Sequence, residues 1–182
     1  MIGARWVLPV LTATGHHDVA YKVATQITEP SWGYWTDTLK FTSLGESWPA
    51  DTRSRNHHFF GAIVQWFYED LAGIRPILPG FREIAIKPQI PAVGLDHVSA
   101  SYKSVRGTIK STWNRTASGL ELEVVVPPNV RASVYVPATK QAEVTIDGVE
   151  KDAVKFVRIE GGRVVYEVGS GKYRFRVDKQ IR

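Results

Sequence analysis

The hydrophobic period of the chain changes near residue 79, and this change constrains the fold more than any other feature. Before it, apolar residues recur every three or four positions, as in the run from 20 to 27, which is typical of amphipathic helices. After it, apolar and polar residues alternate, as in LELEVVV over residues 120–126, which is typical of half-buried strands. The sequence therefore predicts an α+β chain with a helical domain over residues 1–78 and a strand domain over residues 79–182.

Three helices are predicted in the first domain. The first stops at Gly15, the second ends at Pro30, and the third runs from about residue 54 to 72 with Gly73 as its stop. Three helices bury little by themselves, so we expect a further helical partner, either more chain or another subunit. The predicted buried faces comprise Val7, Val10 and Leu11 in the first helix, Ala20, Val23, Ala24 and Ile27 in the second, and Phe60, Ile63, Val64, Phe67 and Leu71 in the third.

Short strands separated by turn signals predict an antiparallel β-sandwich in the second domain. Val134 and Val136 flank Tyr135 in one alternating run, and Asp147-Gly148 and Gly161-Gly162 are hairpin signals between others. The proline-rich segment IRPILPG over residues 74–80 is predicted to link the two domains.

Composition excludes several classes of protein. The chain has no cysteine, which excludes disulfide scaffolds, thiolate metal sites and cysteine nucleophiles. The net charge of +5 comes from cations that alternate with apolar residues in the strand domain, so it argues against a nucleic-acid-binding stripe. No apolar run reaches the roughly 18 residues of a membrane span, and no cofactor is expected. We therefore expect a soluble protein, periplasmic, secreted or cytoplasmic.

The irregular segment from residue 30 to 51 carries the candidate chemistry. Three of the six tryptophans, Trp32, Trp35 and Trp48, lie there, and the carboxylate Glu46 stands two residues before Trp48. The pair Asn56-His57 follows shortly afterwards. Aromatic faces stack on sugar rings, amide and imidazole groups hydrogen-bond to hydroxyls, and a partly desolvated carboxylate suits proton transfer. This combination predicts a sugar-binding pocket.

Ordered motifs extend along nearly the whole chain. They are GARWVLPVL (3–11), TGHHDVAY (14–21), PSWGY (30–34), Glu-x-Trp (46–48), SRNHHFFG (54–61), WFYxxLAGI (66–74), PGFxxIxIxP (79–88) and VxASY (98–102). In this order they resemble the late part of bacterial α-L-rhamnosidases, glycoside hydrolase family 78. The resemblance implies the last helices of an (α/α)6 barrel followed by a C-terminal antiparallel β-sandwich.

The same resemblance implies an inverting hydrolase that removes terminal α-L-rhamnose from glycosides or polysaccharides. Glu46 matches the general base that activates water, and His57 matches a sugar-contacting histidine. Inversion also needs a general acid, which in the family lies upstream of the matched region, so the chain alone is expected to be inactive. Gly45 departs from the family pattern, in which many members have tryptophan.

Each candidate residue also has a purely structural interpretation. Glu46 could cap or salt-bridge a loop, His57 could be a core histidine, and Trp32 and Trp35 could be a sugar platform or part of the core. His58 and Trp66 are predicted to be structural, and Trp113 is predicted to be core. The segment His16-His17-Asp18 is predicted to be a helix start, not a metal site, because adjacent residues do not share a helix face.

Two further function classes stay open. The strand domain could be a non-catalytic module that binds polysaccharide or braces the barrel, or the chain could come from an (α/α)6 glycosidase of different sugar specificity. A binding module would need exposed aromatic side chains on its strands, whereas a hydrolase needs Glu46.

Overall fold

The computed structural model describes residues 3–147 and 153–178. The chain divides into two compact units, Met1–Asp70 and Leu71–Arg182. The first contains the helices and the second contains the strands, which confirms the predicted α+β class.

The helical unit contains α1 (Ala4–Ala13), α2 (His17–Thr25) and α3 (Ala62–Trp66). A 3₁₀ turn, His58–Gly61, precedes α3 and a π-helical turn, Phe67–Leu71, follows it, so the chain is helical from residue 58 to 71. The predicted start near residue 54 is wrong, because the backbone of His57 is extended and its N–H donates to the Leu44 carbonyl.

Small and polar residues allow the helices to pack closely. Ala20 and Ala24 are the buried residues of α2, and their short side chains permit α1 to approach. On α1 the buried residues are Leu8 and Thr12. Trp66 of α3 is buried and its indole Nε1 donates to Thr12 Oγ1 over 2.8 Å, which confirms the structural role predicted for Trp66.

Several apolar residues that the period places on buried faces are instead exposed. Val10 of α1 is 53% exposed, and Val64 and Phe67 of the third helical segment are 49% and 41% exposed. Ile27 lies beyond the end of α2 and is also exposed. The hydrophobic period identifies the apolar side chains of a helix. It does not show which of them are covered by other residues of this unit.

No helix among the described residues is long and apolar enough to cross a membrane.

The described residues of the strand unit form two five-stranded sheets. One has the order β1-β2-β6-β9-β8 and the other the order β3-β4-β5-β10-β7. The strands are β1 (Ile74–Pro76), β2 (Glu83–Ile86), β3 (His97–Ser104), β4 (Gly107–Thr116), β5 (Gly119–Val126), β6 (Arg131–Val136), β7 (Val144–Asp147), β8 (Val154–Glu160), β9 (Arg163–Val168) and β10 (Gly171–Asp178).

Antiparallel pairing dominates both sheets, with one local departure. β2 pairs with β6 in parallel, and Glu83 lies opposite Arg131. The segment 74–80, predicted as a linker, begins with strand β1, which pairs with β2. Gly161 and Gly162 join β8 to β9 with φ angles of 55° and 72°, which confirms the predicted hairpin. The Asp147-Gly148 turn lies partly outside the described residues.

The alternation of β5 predicts its buried face correctly. Leu120, Leu122, Val124 and Val126 are all buried, whereas Glu121 and Glu123 between them are only half-buried. Trp113 of β4 is fully buried and its Nε1 donates to the Leu71 carbonyl over 2.8 Å, which confirms the core prediction.

The outward face of the second sheet carries charged side chains. The Nε atom of Arg174 on β10 lies 3.7 Å from Oε1 of Glu121 on β5. The same guanidinium group forms an ion pair with Glu123 of β5. The aromatic residues of β10, Tyr173 and Phe175, are buried. The centre of this face therefore offers no aromatic ring to a sugar, but Tyr102 of β3 and Phe156 of β8 are 40% and 39% exposed, so the polysaccharide-binding alternative stays open.

Candidate active site

Backbone hydrogen bonds align the segment before Glu46 with the segment that leads into the third helical run. The N–H of Glu46 donates to the Ser54 carbonyl over 2.9 Å, and the N–H of His57 donates to the Leu44 carbonyl over 3.0 Å. In addition, the Ser43 hydroxyl donates to the Arg55 carbonyl. The two segments thus run antiparallel, and they bring the Glu46 loop alongside Asn56 and His57.

A cluster of four aromatic rings supports this loop. Trp48 lies at the centre, with ring centroids 5.2 Å from Trp32, 4.8 Å from Trp35 and 4.3 Å from Phe60. Trp32, Trp35 and Phe60 are buried, and Trp48 is half-buried. The indole of Trp32 donates to the Phe60 carbonyl over 2.9 Å. We refer to these four residues as the aromatic cluster.

Trp35 lies against the Glu46 loop at two positions, one after Glu46 in the sequence and one before it. Its Nε1 donates to the carbonyl of Trp48, two residues after Glu46, over 3.0 Å. On the other side, a Cβ added to Gly45 would lie 3.2 Å from a carbon of the Trp35 ring. Trp35 is completely buried, so its geometry favours the core interpretation over the sugar platform.

The close packing around Gly45 gives a physical reason for glycine at this position. A Cβ there would also meet the Thr52 methyl group at 3.0 Å and the Ser47 carbonyl oxygen at 3.2 Å, closer than most real contacts of a Cβ atom. The loop conformation of this chain therefore has no space for a tryptophan at residue 45.

The candidate polar residues differ in their exposure. Glu46 and His57 are half-buried, and Asn56 is exposed. The His57 ring stacks on Phe59 with centroids 5.0 Å apart, and its Nδ1 is buried without a hydrogen-bond partner among the described residues. A carboxylate, an amide and an imidazole thus lie on two aligned segments, and the first of these segments continues into Trp48 of the aromatic cluster. Such an arrangement can hydrogen-bond sugar hydroxyls and accept a proton.

Thr52 is the residue of this loop that the sequence did not reveal. Its buried hydroxyl accepts from the N–H groups of Glu46 and Ser47, over 3.1 Å and 3.0 Å, and donates to the Ser54 carbonyl over 3.2 Å. A lone threonine between Asp51 and Arg53 has no spacing that would single it out.

A separate cavity of about 560 Å³ opens in the same unit. Its lining includes the exposed apolar side chains Ile27, Val64 and Phe67, together with Trp32 and Asp37, but neither Glu46 nor His57. Apolar lining of this kind suits a protein surface better than sugar hydroxyls.

The segment His16-His17-Asp18 lies where the sequence predicts a helix start. α2 begins at His17, and Asp18 occupies its first turn, a favourable position for a carboxylate. In the part of the chain that the structure describes, no group of three or more histidine, aspartate or glutamate side chains could hold a metal ion.

Comparisons with known proteins cover both units. Residues 1–71 match the model of the bacterial alpha-L-rhamnosidase 6 hairpin glycosidase domain, and residues 73–151 match that of the bacterial alpha-L-rhamnosidase C-terminal domain. The chain belongs to the bacterial alpha-L-rhamnosidase family, in the region where the first of these domains is followed by the second. The predicted family is thus confirmed.

Named relatives and solved structures agree with this assignment. An alpha-L-rhamnosidase of Streptomyces avermitilis is 37% identical over 97% of this chain, and one of Formosa agariphila is 31% identical over 96%. The structure of the Streptomyces avermitilis alpha-L-rhamnosidase complexed with L-rhamnose matches 95% of this chain with a TM-score of 0.86 and 36% identity. That of the Dictyoglumus thermophilum enzyme matches 98% with a TM-score of 0.81 and 28% identity. This chain spans only 17% and 20% of the two named relatives, and 17% and 21% of the two solved chains.

Proposed function

We propose that the chain contributes the general base and the C-terminal β-sandwich of an inverting glycoside hydrolase that removes terminal α-L-rhamnose. The helical unit, Met1–Asp70, belongs to the last helices of its catalytic (α/α)6 barrel, and the strand unit, Leu71–Arg182, is the sandwich. The observation that carries the proposal is the pairing of the Glu46 loop with the Asn56–His57 segment, in a chain that matches alpha-L-rhamnosidases along its length.

Each candidate residue takes a role that its position supports. Glu46, half-buried at the turn of its loop, removes a proton from the attacking water. Asn56 and His57 hold sugar hydroxyls, because both side chains lie on the segment aligned with that loop. In the aromatic cluster, Trp48 and Trp32 shape the floor of the site, and Trp35 supports the floor from within the core.

Inversion requires a second carboxyl group that protonates the leaving oxygen. The two groups stand roughly 6.5–9.5 Å apart in inverting enzymes, so that water fits beside the base. We place this acid in the rest of the six-hairpin domain. The exposed apolar residues of the helical unit support this division, because a lone unit rarely leaves so many apolar side chains uncovered. We propose that the rest of the domain covers the cavity lined by Ile27, Val64 and Phe67.

The first experiment compares the chain alone with a chimaera. In the chimaera, this chain replaces the matched region of the Streptomyces avermitilis alpha-L-rhamnosidase. We expect the chain alone to release nothing above background from an aryl α-L-rhamnoside, because the general acid is absent. The chimaera is expected to hydrolyse the same substrate, and NMR of the first-formed sugar should show the inverted anomer.

The Streptomyces avermitilis enzyme lacking the matched region serves as the control and should be inactive. Turnover by the chain alone would show that one of its own carboxyl groups, such as Asp37 or Asp51, supplies the acid. A folded but inactive chimaera, or a product of retained configuration, would contradict the proposed function.

A further inference from the structure

We propose that Thr52 is a positioning residue that holds the backbone at Glu46 and so sets the direction in which the side chain of the base leaves the main chain. This inference rests on the proposed function, because it assigns the Thr52 hydroxyl to the support of the general base. Thr52 does not touch the substrate in this proposal; it acts through the backbone of Glu46.

The hydrogen bonds of Thr52 fix both peptide groups that meet at the Cα of Glu46. The N–H of Glu46 precedes this Cα and the N–H of Ser47 follows it, and both donate to the Thr52 hydroxyl oxygen, over 3.1 Å and 3.0 Å. The orientations of these two peptide groups are set by the φ and ψ angles of Glu46. The Glu46 N–H is shared between the Ser54 carbonyl and the Thr52 hydroxyl, and the Ser47 N–H donates to the Thr52 hydroxyl. Together these bonds fix the direction in which the Glu46 side chain leaves the backbone.

The hydroxyl of Thr52 is itself held in place. It donates its proton to the carbonyl of Ser54 over 3.2 Å, the same carbonyl that accepts from Glu46 N–H over 2.9 Å. The hydroxyl oxygen accepts from the two backbone N–H groups and also, over 3.1 Å, from the Ser47 hydroxyl, while its single proton goes to Ser54. The bond to Ser54 connects Thr52 to the segment that carries Asn56 and His57. One side chain therefore couples the loop of the base to the sugar-contacting segment.

The methyl group of Thr52 has a separate role in packing. It fills the space beside Gly45, where a Cβ would come within 3.0 Å of it. In this buried side chain the hydroxyl therefore forms hydrogen bonds with the loop, and the methyl group packs against the loop. Valine keeps the shape of threonine without its hydroxyl, and serine keeps the hydroxyl without the methyl. These two substitutions separate the tasks.

A misplaced base transfers a proton less efficiently, because catalysis depends on hydrogen-bond reach to the attacking water. We expect Thr52→Val in the chimaera to lower kcat roughly 10- to 100-fold, the range that a misplacement of about 1 Å produces, with KM changed less than about twofold. Thr52→Ser should retain most of the activity. A matched control is Ser47→Ala, which removes a 3.1 Å contact between the Ser47 and Thr52 hydroxyls but keeps both backbone bonds, and should behave as the parent.

A second measurement follows hydrogen exchange at the backbone amides of Glu46 and Ser47 in the 182-residue chain itself. Thr52→Val should increase exchange chiefly at the Ser47 amide, which donates to the Thr52 hydroxyl, and less at the Glu46 amide, which keeps its bond to the Ser54 carbonyl; Thr52→Ser should change neither. If Thr52→Val does not fold, Thr52→Ala removes the same hydroxyl from a smaller side chain and is measured in its place. Unchanged exchange in the folded variant lacking the hydroxyl would overturn the inference, whatever the activity of the chimaera.

The double variant Thr52→Val/Glu46→Gln distinguishes failure of this inference from failure of the proposed function. If Thr52 acts through Glu46, its substitution should change kcat no further once Glu46 is glutamine. An additional loss of the same size in the double variant would show that Thr52 acts independently and would overturn the inference. Full activity of Glu46→Gln alone would instead contradict the proposed function.

Discussion

Replacing Glu46 by glutamine in the chimaera is expected to lower kcat by about 10²–10⁴-fold while leaving KM close to that of the parent. A general base acts in the transition state, whereas the neutral amide retains the size of the side chain but does not accept the proton of water. The backbone bonds of Glu46 to Thr52 and Ser54 do not involve its side chain, so the loop should keep its conformation. Steady-state kinetics with an aryl α-L-rhamnoside and a melting curve measure both effects.

The neighbouring His57 provides a contrast. His57→Ala should raise KM at least as much as it lowers kcat, because a group that holds a sugar hydroxyl also contacts bound substrate. Glu29→Gln removes an exposed carboxylate of the same helical unit and should leave both constants unchanged. Near-normal turnover by folded Glu46→Gln would mean that another residue is the base, and Glu46 would then have only a structural role in its loop.

Local periodicity predicted those parts of the fold that depend on neighbouring residues. The alternation in β5 identified its buried face, and the Gly161-Gly162 pair identified a hairpin, because both signals are contained in a few consecutive residues. Trp66 and Trp113 were likewise placed in the core correctly. In each case the predictive signal lies in the residue itself or in a few consecutive neighbours.

The geometry of the candidate site depends on interactions that leave no such signal. Glu46 and Ser54 are joined by a backbone bond between two irregular segments, and backbone bonds of this kind place no requirement on residue type. The role of Thr52 arises from a hydroxyl that reaches back five and six residues along the chain. Motif resemblance indicates Glu46 and His57, whereas the residues that support them are evident only in the folded chain.

The hydrophobic period predicts the burial of several apolar residues wrongly. Val64 and Phe67 follow the helical period and yet are exposed in this unit. Their side chains line the cavity that we assign to the rest of the six-hairpin domain. The hydrophobic period of a helix marks the side chains that are buried in the complete domain. It marks them even where the residues that cover them lie outside this chain.

Replacing Trp35 by alanine is expected to destabilise the helical unit by about 3–5 kcal/mol, the usual cost of removing a large buried aromatic side chain. Trp35 is completely buried, its ring lies 4.8 Å from that of Trp48 and 5.0 Å from that of Phe60, and its Nε1 binds the Trp48 carbonyl. The loss should be confined largely to this unit. Hydrogen exchange in increasing urea, followed separately for amides of the helices and of the sheets, measures the free energy of each unit.

Trp6 offers a matched tryptophan for this test, because it lies on α1 of the same unit and is 56% exposed. In the chain alone, Trp6→Ala should change the free energy of unfolding by no more than about 0.5 kcal/mol, as is usual for a surface substitution. The pair of variants thus distinguishes burial from residue type. If Trp35→Ala kept the stability of the helical unit and instead raised KM in the chimaera, Trp35 would be a sugar platform. The ring that we assign to the core of the helical unit would then contact the substrate directly.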